Sequence, residues 1–334
     1  MIISQTPLRI SLGGGGTDLP SYSTKKGGLL LTAAIDKYVY VIVRRNLDEG
    51  IRFTGYYNKE IVQNPKQLKH PVLKAILTKI DDFKDIKNNI EIVTLSDLPA
   101  NSGLGGSSSF IVGLFNALWN LKGKQLSPLT LAKKSWNLER LILKEAGGVQ
   151  DQYIAAFGGV KSIKISKKGQ IKINKINLTK NKKKISNEFY LIKIGYYRSS
   201  SNTQKKTINL LKKSKEKMLY LDEIKKIGIK NKNFLKKGNL YSFGLFMKKH
   251  WELKKKYGDH VTNSYINKIY SESLKHGSTG GKVIGAGSGG FMLFHVNKEN
   301  KKKYEKFLKE RNLEHVKFNL TNSGSKILVN PIKK

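Results

Sequence analysis

The fold is decided by one stretch of this sequence, Pro99-Ala-Asn-Ser-Gly-Leu-Gly-Gly-Ser-Ser-Ser109. An apolar strand pattern over Ile90 to Leu95 precedes it, and helical spacing over Ser107 to Leu121 follows it. Glycines let the backbone approach a bulky anion, and the start of a helix offers free N–H groups to phosphate. The stretch therefore predicts a phosphate-binding loop whose serine hydroxyls cap the helix or ligate Mg²⁺. A glycine-rich turn with a serine cap is the alternative, and a Walker loop is excluded because no Gly-Lys-Ser/Thr follows.

Two carboxylates follow this loop. Glu139 lies in a helical pattern over Ser127 to Lys144, with Ser127 and Pro128 as its cap and first turn. Asp151 follows a Gly-Gly turn at the predicted start of a short helix, Gln150 to Phe157. Phosphoryl transfer needs a metal ligand and a group that positions or deprotonates the attacking hydroxyl. The pair suits both tasks, although taken alone two such carboxylates are more commonly surface residues.

A third segment lies near the N-terminus, Pro7-Leu-Arg-Ile-Ser-Leu-Gly-Gly-Gly-Gly-Thr-Asp18. Arg9 stands in an otherwise apolar strand pattern, Ile2 to Leu12, where a charge is costly unless it is paired. We expect a carboxylate such as Asp151 to be its partner. Asp18, after the glycines, is placed to accept hydrogen bonds from a polyol. A plain strand and turn with an edge arginine is the alternative.

A fourth segment, Gly285-Ala-Gly-Ser-Gly-Gly290, has the Gly-x-Gly-x-x-Gly spacing of a dinucleotide fingerprint. The fingerprint requires a following helix, whereas Phe291 to Val296 has the pattern of a second strand paired with Lys282 to Gly285. The Rossmann interpretation is therefore rejected. An ordinary hairpin loop is favoured when the segment is taken alone, and a tight turn against the phosphate loop is the functional alternative.

Length and composition limit the classes of protein. Of the 334 residues 39% are hydrophobic, so the chain can bury a core as one large domain or two fused ones. No run of about eighteen apolar residues predicts a membrane span, and Met1 to Ser11 is typical of a strand, with no secretory signal pattern. The lack of cysteine excludes disulfides and thiolate metal sites. We take the cytoplasm as the default location.

The formal net charge of +39 raises the question of a polyanionic partner. Only seven of the 63 basic residues are arginines, although bidentate contacts to phosphates and guanines favour arginine. The lysines are spread widely, with clusters at Lys182 to Lys184, Lys254 to Lys256 and Lys301 to Lys303. We interpret them as a solvated surface and keep a weak polyanion-binding role as the alternative.

The remaining patterns predict two α+β domains, with a boundary in the lysine-rich stretch Thr179 to Ser186. No internal repeat is found. Further predicted strands are Leu29 to Ala34, Tyr38 to Arg44, Val160 to Ile165, Gln170 to Ile176, Phe189 to Gly195, His315 to Phe318 and Ser325 to Val329. Further predicted helices are Lys66 to Ile80, segments reaching Lys256, Val261 to His276 and Glu299 to Arg311.

The four segments, in this order and at these intervals, resemble the three signature motifs of the superfamily of galactokinase, homoserine kinase, mevalonate kinase and phosphomevalonate kinase, the GHMP kinases. The resemblance runs from Pro7 to Gly290. Within the superfamily the chain is most similar to the D-glycero-D-manno-heptose 7-phosphate kinases. That similarity is carried by Thr6 to Tyr22, Ala33-Ala-Ile-Asp-Lys-Tyr38, Gly148-Val-Gln-Asp-Gln-Tyr153 and Arg198-Ser-Ser-Ser201.

The resemblance implies a fold and the role of each half. Residues 1–183 are expected to form an ATP-binding domain like the second domain of ribosomal protein S5. Residues 184–334 are expected to form a ferredoxin-like domain, with ATP in the cleft between the two.

The resemblance also implies roles for single residues. Ser107 and Glu139 match the Mg²⁺ ligands, Asp151 the catalytic aspartate, and Arg9 the basic residue beside it. The nucleotide loop would comprise Pro99, Asn101, Ser102, Gly103, Leu104, Gly105, Gly106, Ser107 and Ser108. The sugar would contact Gly15, Gly16, Thr17, Asp18, Gln150 and, at a distal phosphate, Arg198. The family commonly has serine where Gly106 stands here, so one hydroxyl contact is missing.

Together these observations predict a kinase that uses ATP and Mg²⁺ to phosphorylate the anomeric hydroxyl of D-glycero-D-manno-heptose 7-phosphate. The product would be the 1,7-bisphosphate, for nucleotide-activated heptose and surface glycans. A kinase for another sugar such as fucose or galactose is one alternative, and a basic nucleic-acid-binding module is another. We expect no specific nucleic-acid partner and no membrane partner. The sequence leaves the anomer and a homodimer open.

Overall fold

The computed structural model describes residues 1–56, 58–86, 89–178, 181–195 and 200–331. The first half contains β1 (Ile2–Gly13), α1 (Pro20–Lys26), β2 (Gly28–Arg45), β3 (Gly50–Thr54), β4 (Lys59–Val62), α2 (Pro71–Lys79), β5 (Asn89–Ser96), α3 (Gly106–Leu121), α4 (Pro128–Asn137), α5 (Gln150–Phe157), β6 (Val160–Ile165) and β7 (Ile171–Lys175). The second half contains α6 (Lys182–Glu188), β8 (Phe189–Gly195), α7 (Ser200–Lys213), α8 (Lys215–Lys237), α9 (Leu240–Tyr257), α10 (Ser264–Lys275), β9 (Ser278–Val283), β10 (Gly290–Val296), α11 (Lys301–Glu310), β11 (His315–Val316) and β12 (Lys326–Val329). The predicted α+β fold class is confirmed.

A large sheet organises the first half. Its strands follow the order β12-β1-β2-β5-β3-β4, with β6 paired to β2 and β7 to β6. Helix α3 packs on β1 and β2 and is buried over most of its length, because its sequence is apolar on nearly every face. The main hydrophobic core lies between this helix and the sheet. The start of α3 is therefore held firmly against β1, the strand that carries Arg9.

A four-stranded antiparallel sheet in the order β11-β8-β10-β9 organises the second half. Helix α9 packs along β9, and the second core includes Trp251, Phe294 and Tyr304. No described helix combines the length and the apolar character that crossing a lipid bilayer requires.

Strand β2 differs from its prediction. The sequence predicts two strands here, Leu29 to Ala34 and Tyr38 to Arg44. The structure forms one strand of 18 residues, since β1 pairs along one side while β6 and then β5 pair along the other. Asp36 is accommodated because its carboxylate accepts hydrogen bonds from the backbone N–H and the side-chain amide of Asn319.

Other predicted elements are shorter or divided. The helix expected over Lys66 to Ile80 begins only at Pro71, after a 3₁₀ turn at Pro65–Gln67, and strands β3 and β4 were not expected. The helix expected over Ser127 to Lys144 ends at Asn137 and continues as one π-helical turn, Leu138–Ile142. That turn carries Glu139, and π-helical turns are frequent at functional sites.

The last strand belongs to the first sheet. Strand β12 pairs antiparallel with β1, and Ile3 lies opposite Val329. The Ser325 hydroxyl also hydrogen-bonds Thr6 Oγ1 and accepts from Asn116 Nδ2. The division into residues 1–183 and 184–334 stays a prediction, and this strand departs from it by returning to the N-terminal sheet.

Candidate active site

Three cavities form a continuous row across the cleft. We name them the Asp18 cavity, of about 700 Å³, the loop cavity, of about 580 Å³, and the Phe53 cavity, of about 1070 Å³. The Asp18 and loop cavities share Arg9, Asp151, Arg140, Gln204, Gly285 and Ala286 as lining residues. The loop and Phe53 cavities share Asn101, Ser102, Gly106, Ser107 and Glu145.

Arg9 and Asp151 meet at the boundary of the first two cavities. The guanidinium donates from Nε to Oδ1 and from Nη2 to Oδ2 of the carboxylate, both at 2.8 Å. Its Nη1 donates to the Gly103 carbonyl, and its backbone N–H donates to the Leu104 carbonyl at 2.9 Å. Arg9 is 5% exposed, whereas the Asp151 side chain is 25% exposed and faces the cleft. The predicted pairing of Arg9 with Asp151 is confirmed, and it ties both residues to the phosphate loop.

The phosphate loop leads directly into α3. Gly103 and Gly105 have φ angles of +78° and +81°, which favour glycine. The first helical hydrogen bond joins Ser109 N–H to the Gly105 carbonyl at 2.9 Å. The N–H groups at positions 106–108 therefore have no intrahelical acceptor and, with the positive end of the helix dipole, can bind an anion.

The glycine-rich segment Gly285 to Gly290 packs against this loop. A Cβ built on Gly285 would lie 2.7 Å from the Gly103 carbonyl oxygen, and one built on Gly290 would lie 2.2 Å from the Ser102 carbonyl oxygen. Only glycine permits so close an approach of two backbones. The alternative of a tight turn against the phosphate loop is therefore the one that the structure adopts.

Glu139 lies at the floor of the loop cavity and is 1% exposed. The Ser108 hydroxyl lies 3.0 Å from each of its carboxylate oxygens, and Gln152 Nε2 donates to Oε2. Burial raises the pKa of the Glu139 carboxyl to about 7, although Arg140 and the hydrogen bonds from Gln152 and Ser108 act in the opposite direction. A carboxylate held in this way needs a further positive charge to be fully ionised at neutral pH.

Mg²⁺ suits the donor set at this point. Carboxylate and hydroxyl oxygens are the ligands it prefers, and it usually takes few protein ligands together with water and substrate phosphates. Within the described residues no three His, Asp or Glu side chains converge to form a complete metal cage. Ser107 is exposed and lines the loop cavity together with Glu139, but the hydroxyl that contacts Glu139 is that of Ser108.

Asp18 lies in the Asp18 cavity, at the end of the row opposite the Phe53 cavity. Its Oδ2 accepts hydrogen bonds from the backbone N–H groups of Val149, at 3.0 Å, and Gln150, at 3.3 Å. A Cβ on Gly148 would lie 1.9 Å from the same oxygen, so glycine is required there. Burial, and then the negative charge of Asp151, raise the pKa of the Asp18 carboxyl.

The structure distributes the other predicted residues among the cavities. Gly15, Gly16 and Gln150 line the Asp18 cavity, whereas Pro99 lines the Phe53 cavity. Thr17 is fully buried and does not line any of the three cavities; its hydroxyl oxygen lies 2.7 Å from the Gly14 carbonyl oxygen and 2.9 Å from that of Leu29, and these contacts fix the loop. Leu104 contributes its carbonyl, and its side chain lies in the core. Arg198 lies outside the described residues.

Several lining residues of the Asp18 cavity were not predicted from the sequence. They are Arg140, Gln204, Thr207, His250, Lys254, Tyr257, Lys282 and Ala286. Arg140 follows Glu139 directly, and its guanidinium donates to the carbonyls of Glu145, Ala146 and Gly148. The others come from helices α7 and α9, strand β9 and the loop after it, which reach the cavity only through the tertiary fold.

Known proteins resemble this chain in sequence and in fold. Models of the GHMP kinases N terminal domain and the GHMP kinases C terminal region match residues 69–159 and 231–312. A D-glycero-alpha-D-manno-heptose 7-phosphate kinase of Campylobacter jejuni is 32% identical over 97% of this chain and 98% of its own length. An L-fucokinase/L-fucose-1-P guanylyltransferase of Bacteroides fragilis is 26% identical over 87% of this chain and 34% of its own. The structure of a D-glycero-D-manno-heptose 1-phosphate kinase from Bacteroides thetaiotaomicron matches with a TM-score of 0.80 at 26% identity, covering 98% of this chain and 99% of that one.

Proposed function

The chain belongs to the GHMP kinase family of ATP-dependent phosphotransferases, and on that premise we propose that it transfers the γ-phosphoryl group of ATP to the anomeric hydroxyl of D-glycero-D-manno-heptose 7-phosphate. The observation that carries the proposal is the row of three cavities with Arg9 and Asp151 at one junction. A base, a triphosphate and an alcohol need three connected spaces in this order.

The adenine base is assigned to the Phe53 cavity. Its lining is largely apolar and includes Val39, Phe53, Val72, Leu98 and Phe110, as a flat heteroaromatic ring requires. The triphosphate then extends along the loop cavity, where the free N–H groups at 106–108 point toward it. These donors are in place before charge develops on the transferred group, which is the arrangement that stabilises a transition state most effectively.

A magnesium ion would be held by Glu139 and by a serine hydroxyl of the loop, with Ser107 the residue expected from the family pattern. When bound, it neutralises charge on the β- and γ-phosphates. Ser108 and Gln152 orient the Glu139 carboxylate, because both contact it and both are buried.

Asp151 receives the acceptor hydroxyl. Arg9 occupies one lone-pair direction on each of its oxygens, which leaves the other directions free for the hydrogen of an alcohol. The alcohol oxygen forms a bond to the γ-phosphorus while the bond from that phosphorus to the β,γ-bridging oxygen breaks, so ADP leaves with the bridging oxygen. The alcohol proton passes to Asp151 or through it to solvent. Asp18 and Gln150 hold the remaining hydroxyls of the sugar.

Two relatives support a heptose phosphate as the acceptor, but their names differ in the position of the phosphate. In this proposal a kinase acting on the 7-phosphate would phosphorylate O1, whereas one acting on the 1-phosphate must phosphorylate another hydroxyl. If that hydroxyl is O7, both routes give the same 1,7-bisphosphate. We favour the 7-phosphate because the relative that carries this name is the more similar in sequence. Its product would supply nucleotide-activated heptose for surface glycans.

A panel of acceptors tests the proposal. The purified chain would be incubated with ATP, Mg²⁺ and, separately, heptose 7-phosphate, heptose 1-phosphate, heptose, fucose and galactose, with products identified by phosphorus NMR. We expect heptose 7-phosphate to give the highest kcat/KM and a new anomeric phosphate resonance. Faster turnover of fucose would favour the fucokinase-like alternative that the Bacteroides fragilis relative suggests, and faster turnover of heptose 1-phosphate would contradict the assignment of O1.

A further inference from the structure

The Asp18 cavity has a cationic end that the transfer reaction does not use. Helix α9 contributes His250 and Lys254, one turn apart, and strand β9 contributes Lys282. All three line the cavity and are buried, with exposures of 2%, 6% and 3%. Buried lysines are rare unless paired with an anion.

These three side chains have few partners. Lys254 Nζ donates to the Gly285 carbonyl at 2.7 Å, which uses one of its three protons. Lys282 Nζ makes no hydrogen bond or ion pair with the described residues, and His250 Nδ1 has no hydrogen-bond partner among them. Burial and the charge of Arg9 lower the pKa of Lys254 to about 7, and burial together with the charges of Lys254 and Arg9 lowers the pKa of Lys282 well below its ordinary value.

The carboxylates of the same cavity do not neutralise the lysines. Asp151 is engaged by the Arg9 guanidinium, and Asp18 by the N–H groups of helix α5. Four basic side chains line the cavity. Arg9 pairs with Asp151 and Arg140 lies 3.8 Å from the Glu139 carboxylate, whereas Lys254 and Lys282 form no ion pair with the described residues. An uncompensated buried charge is unfavourable, so this end of the cavity is built for an anionic ligand.

The anion is not the triphosphate of ATP. His250, Lys254 and Lys282 line the Asp18 cavity, and they are absent from the lining of the loop cavity. The acceptor occupies the Asp18 cavity, so the anion belongs to the acceptor. The acceptor hydroxyl at the other end of the same molecule must still reach Asp151, which lines the same cavity.

We propose that Lys254, Lys282 and His250 form a subsite for the phosphate group that the acceptor sugar already carries. This inference rests on the proposed function and assigns the group that selects a sugar phosphate over a free sugar. A phosphate dianion has three free oxygens, enough to accept from both ammonium groups and from the imidazole. A desolvated site of this kind rejects the acceptor that lacks the phosphate, because its donors would stay unpaired.

The first test compares acceptor selectivity in variants. In the wild type we expect kcat/KM for heptose 7-phosphate to exceed that for heptose by at least about 100-fold. In Lys282→Met and Lys254→Met this ratio should fall at least about tenfold, with little change in KM for ATP. The control is Lys249→Met, an exposed position on the same helix, which should keep the wild-type ratio.

An equal fall in kcat/KM for heptose 7-phosphate and for heptose, or a rise in KM for ATP, would show that the lysines serve the transferred phosphoryl group. Either result would overturn the proposal. Folding of each variant is checked by its melting temperature. We expect Lys282→Met to melt no lower than the wild type, because methionine removes a buried charge and keeps much of the side-chain volume.

The second test does not depend on the identity of the sugar. Inorganic phosphate is titrated into the wild type and Lys282→Met by calorimetry, with a non-hydrolysable ATP analogue present to fill the loop cavity. We expect the dissociation constant of phosphate to be at least about tenfold larger in the variant. Equal affinities would reject the subsite even if heptose 7-phosphate is a substrate, whereas a subsite that binds phosphate in a protein that ignores heptose phosphates would reject only the proposed function.

Discussion

At the scale of single residues, Arg9 shows how a charged side chain is accommodated in a buried strand. Arg9 donates from Nε and Nη2 to Asp151 and from Nη1 to the Gly103 carbonyl, so each nitrogen of the guanidinium has a partner. The planar guanidinium is suited to holding a carboxylate in two places at once, which lysine cannot do. The same contacts fix Asp151 relative to the phosphate loop, so the charge pair is also a positioning device.

Asp151→Asn tests the role of this carboxylate. The amide cannot take a proton from the acceptor hydroxyl, and its NH₂ group opposes one of the Arg9 donors. We expect turnover to fall at least about 1000-fold, the upper part of the range for general acid–base groups, while the dissociation constant of ATP changes less than about threefold. Turnover is measured by a coupled ADP assay and binding by calorimetry.

The matched control is Asp81→Asn, which removes a highly exposed carboxylate that pairs with Lys84 at the surface. It should retain full turnover and ATP affinity. Near-native turnover of Asp151→Asn would disprove the catalytic assignment, and loss of ATP binding would indicate a distorted loop.

A site residue can be predicted from the sequence when it lies within a recognisable motif, and not when only tertiary packing brings it to the site. Arg9, Asp18 and Asp151 stand within recognisable segments, so their side chains could be predicted to converge. Lys254 could not, because it belongs to the run Lys254 to Lys256, which predicts a solvated surface; the prediction is wrong for Lys254, which is 6% exposed. Only the packing of α9 on β9 turns that one lysine inward beside Lys282.

At the scale of elements, the turn before α5 is the most constrained part of the site. Gly148 lies so close to Asp18 that its Cα can carry only hydrogen at this position. The N–H groups of the next two residues then bind the Asp18 carboxylate. The start of one helix therefore positions a side chain that comes from the loop between β1 and α1.

Gly148→Ala should separate sugar binding from nucleotide binding. The added methyl group displaces Asp18, so we expect KM for the acceptor to rise about 10- to 100-fold, equivalent to the loss of one or two hydrogen bonds to a charged group. KM for ATP should stay within about twofold. Steady-state kinetics with each substrate varied in turn provides the measurement.

Gly169→Ala provides the comparison, since it lies in the turn between β6 and β7, has a φ of +79° and meets nothing within 4 Å. It introduces backbone strain of about 1 kcal/mol without contact to the site. An equal rise of the acceptor KM in both variants would mean that general destabilisation, and not Asp18, is responsible.

Element boundaries were harder to predict than element types. Two strands were predicted where the structure has the single strand β2. The polar residue Asp36 fits within it because its carboxylate accepts a hydrogen bond from Asn319, a residue 283 positions away. The helix predicted over Ser127 to Lys144 gave no indication of the π-helical turn that directs Glu139 inward. Both depend on contacts that no local periodicity records.

At the scale of the whole molecule, β12 joins the two halves. Leu320 forms a bridge with Ile35, and β12 continues along β1. The C-terminal half therefore contributes to the sheet on which Arg9 is mounted. A simple cut between the predicted domains would remove one neighbour of β1.

Deleting residues 326–334 should test this coupling. We expect the free energy of unfolding to fall by about 2–4 kcal/mol, since several strand hydrogen bonds worth about 1 kcal/mol each are lost, and the melting temperature to fall accordingly. Urea unfolding followed by circular dichroism gives the measurement. Deletion of residues 331–334, which keeps β12, should leave the midpoint unchanged; an unchanged midpoint in the longer deletion would show that β12 adds nothing to the sheet.

The pairing of β1 with β12 also has a consequence for biosynthesis. Strand β1 leaves the ribosome well before one of its two neighbours, which is translated more than three hundred codons later. Until then the edge of β1 at Ile3 to Gln5 is open, and an unpaired strand edge can recruit strands from other nascent chains. Slow completion of so distant a contact makes this interval the vulnerable period of the chain's maturation, when a chaperone would protect it most.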